Sequence, residues 1–262
     1  MNPIRPLSLS LSMPLLAVAA LLACACGAAR ADGLADLRGA LARLPGTTPL
    51  KASVDAHDWR RNGDGQDAEE HQGSVSIGLE DGPRGLAPIY GRDLLARADA
   101  EQRAAVKDKK AAKPIETTLG QLGVAELHAM ASAAPWLARE IDEATFKNEA
   151  ADTLDGKAVR RLVFESGIDS LAEKDRKYAK EFKSVLTVWI GADGTPLAST
   201  RRIDLSGSAF VVIKFEMHDE ENRGFAVVGD RLVELRNDEK GTAKGAGNDT
   251  DYRTERRLQV LP

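Results

Sequence analysis

The chain has 262 residues, of which 43% are apolar, 29% charged and 5% aromatic, and its formal net charge is −4 at neutral pH. That length supplies one domain with a substantial core. Mild acidity with interspersed signs argues against nucleic acid as a partner, and so few aromatic residues make a poor stacking platform for bases or sugars.

The first 31 residues read as an export signal. Arg5 supplies the positive n-region, Leu7 to Leu22 the apolar run, and Ala29-Arg30-Ala31 before Asp32 the small residues that a signal peptidase reads. The run is short for a membrane span, Pro14 interrupts it, and a charged helix-forming sequence follows. Cleavage after Ala31 leaves residues 32–262 and takes the charge to −6, through loss of Arg5 and Arg30. Leu21-Leu22-Ala23-Cys24 also resembles a lipobox, whose Cys24 would be acylated and become the mature N-terminus. Both outcomes stay open: a periplasmic or secreted chain without cysteine, or a lipoprotein anchored through Cys24. No second apolar run reaches membrane-spanning length.

Residues 33–44 place Leu34, Leu37, Leu41 and Leu44 at helical spacing, and Pro45-Gly46 stops them. Strands are predicted over 50–60 and 74–80, where Val54 and then Val75, Ile77 and Leu79 alternate with polar or small residues. Asp81-Gly82-Pro83 turns the chain into a short third strand at 85–90. Residues 92–116 are Ala-rich and charged, a solvated helix or a mobile connector. The stretch 117–141 carries an apolar stripe of Leu119, Leu122, Leu127, Met130, Leu137 and Ile141, cut into short helices by Gly120, Gly123 and Pro135. From Thr145 onward the pattern is antiparallel sheet. Asp155-Gly156 joins strands 146–154 and 157–165, and Asp193-Gly194 joins 184–190 and 196–205. A charged helical insert is predicted at 169–181, further strands at 209–218, 224–228, 231–236 and 252–261, and a mobile loop at 237–251.

Nine or ten strands in hairpin succession require one large antiparallel sheet, and the helices are the apolar material available to cover it. The expected class is α+β: a single domain over 32–262, a strongly curved antiparallel sheet forming an open half-barrel, with helices across its concave face. The opening LADLRGALARLPGTTPLKASVDAHDW with GSVSIGL, and FESGIDSL with FKSVLTVWIGADGTPLAST, resemble the periplasmic lipoprotein-carrier fold, the LolA-like family that also includes the sensor-binding domain of RseB-type regulators. The resemblance spans about 33–90 and 145–220. It implies an apolar interior that shelters acyl chains. The 92–116, 169–181 and 237–251 segments are additions to that pattern, and no arginine here aligns with a lid-gating arginine of the family.

No G-x-S-x-G, H-E-x-x-H, Walker or dinucleotide motif occurs after the signal. His57, His71, His128 and His218 are not paired at ligand spacing. Asn62 to Asp67 lacks the bidentate glutamate of a calcium loop, and His218-Asp219-Glu220-Glu221 reads as a charged hairpin tip. Lys107, Lys109, Lys110 and Lys113 read as a solvated helix face. The sequence therefore points to a non-catalytic monomer without cofactor or metal, whose partner is an apolar ligand or a lipoprotein. Its expected cavity residues are Val75, Ile77, Leu79, Val211, Ile213 and Phe215, with Leu127, Met130, Trp136 and Leu137 as the cover. The alternatives are an envelope interaction or sensor domain of the same fold and, third, an enzyme whose groups assemble only in space.

Overall fold

The computed structural model describes residues 32–64, 68–209, 213–245 and 248–262. Residues 1–31, read from the sequence as an export signal and including Cys24, and Val211 among the expected cavity residues lie outside the described residues. Helix α1 (Gly33–Ala42) ends just before Pro45, and Gly46 turns the chain with φ 73°. Strands β1 (Leu50–Asn62) and β2 (Glu69–Gly82) pair with Val54 opposite Ile77, and β3 (Gly85–Ile89) follows. Next come α2 (Arg92–Lys107), α3 (Pro114–Gly120), α4 (Val124–Ala131) and α5 (Ala133–Glu143). Pro135 does not break α5, because a first-turn position has no intrahelical N–H bond to lose; the break falls at Ser132.

The remaining strands are β4 (Thr145–Leu154), β5 (Lys157–Gly167), β6 (Ala179–Ile190), β7 (Pro196–Ala209), β8 (Ile213–Val228), β9 (Arg231–Gly245) and β10 (Asn248–Val260). Asp155 and Gly156 both take positive φ, 49° and 77°, which is what a two-residue turn between right-twisted strands demands. The insert predicted at 169–181 shrinks to the one-turn α6 (Glu173–Arg176) after a short 3₁₀ turn, and β6 already begins at Ala179.

The ten strands form one antiparallel sheet in the order β3-β2-β1-β10-β9-β8-β7-β6-β5-β4, open between its edges β3 and β4. The chain passes from one edge to the other through α2 to α5. Among the described residues no helix is long and apolar enough to cross a membrane.

Two differences from the sequence reading share one cause. Within the predicted loop at 237–251, residues 237–245 and 248–251 are the paired ends of β9 and β10, and the predicted tip at 218–221 is the middle of β8. Both segments alternate with period two, but their inward residues include Asp219, Glu221, Asn237 and Glu239. An apolar-polar alternation test passes over a strand whose buried face is charged.

The apolar core forms two clusters on one face of the sheet. In the first, Val54, Val75, Ile77 and Leu79 meet Leu94 of α2, Ile115 of α3 and Leu127 and Met130 of α4. In the second, Leu37 and Leu41 of α1 and Leu137 and Ile141 of α5 meet Leu162, Phe164, Leu186 and Val188. Each fully buried Leu, Ile or Phe stabilises the fold by roughly 1.5–3 kcal/mol. Backbone closeness also matters. A Cβ on Gly73 would lie 2.5 Å from the Pro114 carbonyl oxygen, so α3 rests directly on the β2 backbone.

Candidate functional site

Between the two cores, the helix-bearing face of the sheet carries charge. Neighbouring strands present Arg201, Glu221 and Glu239 in one row and Arg223, Asn237 and Arg256 in the next. The Arg201 guanidinium donates to Glu140 of α5 at 2.8 Å and to Glu221 at 3.0 Å. Arg223 pairs with Glu221, lies 3.3 Å from Glu234, and stacks on the Trp136 ring with its centroid at 3.7 Å. Asn237 donates to Glu234 at 2.7 Å and to Glu221 at 2.8 Å. Arg256 donates to the Asn237 side-chain oxygen and to Glu239, both at 3.1 Å, and reaches Glu126 of α4 at 3.7 Å. One row further along, Tyr252 donates to Asp219 at 2.8 Å, its ring lying over Gly241, where no Cβ would fit.

This belt is buried: Glu221, Arg223, Glu234, Asn237 and Arg256 are at most 6% exposed. It sets six carboxylates, those of Glu126, Glu140, Asp219, Glu221, Glu234 and Glu239, against three arginines. Burial pushes Glu234 up to about 8 despite Arg223 and Asn237, so Glu234 carries its proton at neutral pH. Burial likewise raises Glu126, Glu140, Asp219 and Glu239, with the arginines opposing it. A belt of this kind gives little net stability over an apolar core, yet it holds α4 and α5 in register with the sheet.

Beyond the belt, the same face stays apolar but loses its cover. Phe182, Leu205, Phe215 and Met217 are half-buried and Ile213 is 37% exposed. Where α5 ends over β5, β6 and β7, a groove of 360 Å³ opens. Phe164, Phe182, Leu186 and Ile203 form its apolar walls, and Ser166 and Ser184 face each other across the β5–β6 pair. Its polar end is made by Arg201 and Glu140, with the exposed Glu143 at the rim.

The expected cavity residues divide. Val75, Ile77, Leu79, Leu127 and Met130 come together, but as tightly packed core of the first cluster. Leu137 belongs to the second cluster, and Trp136 is half-buried against Arg223. Ile213 and Phe215 lie on the uncovered end of the face, with Phe215 folded over Gly207. Sequence reasoning passed over Phe182, Ile203 and Arg201. Their signal was present in the alternation of 182–188 and 201–205, whose inward positions mix apolar, serine and charge.

All four histidines are exposed. His218 and Glu220 point away from Asp219 and Glu221, because successive strand residues face opposite sides; His218 instead meets Asp204 at 2.6 Å. Among the described residues no group of three His, Cys, Asp or Glu is arranged to hold a metal ion. No protein-family model, curated protein or solved structure matches the chain.

Proposed function

We propose that this chain is an exported envelope protein that holds a lipid, an acylated protein or another apolar ligand on the uncovered apolar end of its sheet. The observation that carries the reading is the groove beside Arg201, where Phe164, Phe182, Leu186 and Ile203 alternate with Ser166, Ser170 and Ser184 and one end is charged. Its 360 Å³ falls within the roughly 300–1,000 Å³ typical of small-molecule sites. Ten sheltered methylenes contribute about 8 kcal/mol before association and ordering costs are subtracted. We read the sheet as the open half-barrel of the lipoprotein-carrier family, with α1 and α3 to α5 across its concave face. In keeping with that family, residues 1–31 would direct the chain to the periplasm, or Cys24 would anchor it there.

A second reading is favoured by one observation. The region under α3 and α4, where a carrier of this type would keep its cavity, is filled by Val75, Ile77, Leu79, Leu127 and Met130. A filled interior suits a non-catalytic interaction or sensor domain whose partner is another envelope protein.

Native mass spectrometry of the mature protein from a periplasmic extract, with organic extraction of bound material, separates the two. We expect discrete added mass released as lipid, which Phe182→Asp or Ile203→Asp abolishes without unfolding the protein. A clean apo mass, or retention unchanged in both folded variants, overturns the carrier reading. The same spectrum reports whether the chain starts at Asp32 or at an acylated Cys24.

A further inference from the structure

We propose that the groove selects amphiphiles whose polar end is uncharged and both donates and accepts hydrogen bonds, such as a hydroxyl or primary amide, over those ending in a carboxylate or an ammonium. The inference rests on the binding reading above and specifies its ligand. Charged groups reach the groove from two elements: Glu140 and Glu143 from α5, and Arg201 from β7. From β5 and β6 come only Phe164, Ser166, Phe182, Ser184 and Leu186. The Arg201 charge is already balanced by two carboxylates, one terminal nitrogen donating to Glu140 at 2.8 Å and the other to Glu221 at 3.0 Å, and these carboxylates oppose an anionic head. Glu140 is compensated in turn by Arg201 and by Arg223 at 4.0 Å, so an ammonium finds no full negative charge at the inner end. A charged head would leave water without a counter-ion, which is costly.

What the pair does offer is hydrogen bonding. Each terminal nitrogen of Arg201 keeps a second N–H beyond those bonds, and Glu140 and Ser184 line the same groove as acceptors. A site whose polar atoms await a hydrogen-bonding ligand discriminates strongly against an analogue that cannot satisfy them.

The test compares four twelve-carbon probes below their micellar concentrations, by displacement of N-phenyl-1-naphthylamine from the mature protein at pH 7.4. Dodecanol and dodecanamide are expected to bind at least about tenfold more tightly than dodecanoate and dodecylamine. Glu140→Gln frees positive charge at the polar end and is expected to raise dodecanoate affinity about tenfold. Arg97→Gln, on the exposed face of α2 away from the groove, is expected to leave the order unchanged. Dodecanoate or dodecylamine binding as tightly as the neutral probes overturns this inference and leaves the binding reading standing. If no probe displaces the dye, the groove reading fails and takes the inference with it. The wild-type ranking decides the matter even if Glu140→Gln does not fold.

Discussion

Replacing Arg223 by methionine removes the side chain on which the belt converges, and the structure sets the size of the loss. The guanidinium is paired with Glu221, sits 3.3 Å from Glu234 and covers the Trp136 ring at 3.7 Å. Glu234, pushed up to about 8 by burial, loses little, so the cost concentrates on Glu221, which is 4% exposed. Orphaning one partner of a buried pair costs about 3–5 kcal/mol, and a desolvated cation–π contact adds up to about 2. Arg201 and Asn237 continue to bond Glu221, which keeps the total near the lower end, about 3–4 kcal/mol. For a chain of this size that lowers Tm by about 6–16 °C. Urea unfolding of the protein at pH 7.5, followed by circular dichroism, measures it. Arg223→Met combined with Glu221→Gln removes both charges and should recover at least half of the loss. A single-variant loss below about 1 kcal/mol, or a double variant worse than the sum of the singles, refutes the belt as a coupled buried network.

Glu234 gives the belt a pH signature. A carboxyl whose folded pKa, about 8, stands above its ordinary 4.5 binds its proton more tightly folded than unfolded. It therefore favours folding fully below 4.5, and that contribution declines as pH rises from 4.5 to 8. Glu234→Gln should flatten the decline in urea-determined stability between pH 5 and 8.5 by at least about 1 kcal/mol; an unchanged slope counts against the assignment. Gly73→Ala drives a methyl into the Pro114 carbonyl and the Thr118 hydroxyl, and should cost about 1–3 kcal/mol. Hydrogen exchange should report faster opening of α3 than of α5, and equal protection of both would contradict the direct seating of α3 on β2.

Hairpins and helices were legible wherever local chemistry and burial agreed. Asp155-Gly156 supplied two residues suited to positive φ, and Val54 opposite Ile77 alternated as a one-sided strand must. Glu221, Arg223, Asn237 and Glu239 broke that agreement. Each is an inward residue of a central strand, yet each reads as loop or surface, because sequence patterning prices a lone charge without seeing its partner on the next strand. Their partners lie up to 111 residues away, as Glu126 does from Asn237. The same blindness displaced the site. The most regular apolar alternation, Val75-Ile77-Leu79, marks positions with the most to pack against, and a packed position is not a cavity. The groove lies where alternation is diluted by Ser184 and Arg201.

The belt thus lies between the two cores that α1 to α5 complete, and beyond it Phe182, Ile203, Leu205, Phe215 and Met217 share the helix-bearing face without burial of that kind. A continuous apolar face would let the helices slide toward these side chains and fill the groove, since apolar contact is non-directional. Directional ion pairs, Glu126 with Arg256 and Glu140 with Arg201, fix where α4 and α5 stop. A protein that must keep apolar surface available while remaining folded gains from such a stop. The paired variant Arg256→Met with Glu126→Gln removes the stop on α4 without touching the groove and bears on this directly: it should stay folded, yet lose discrimination among the four twelve-carbon probes as the helices settle toward the groove. Retained stability with retained discrimination would leave the belt a structural feature alone.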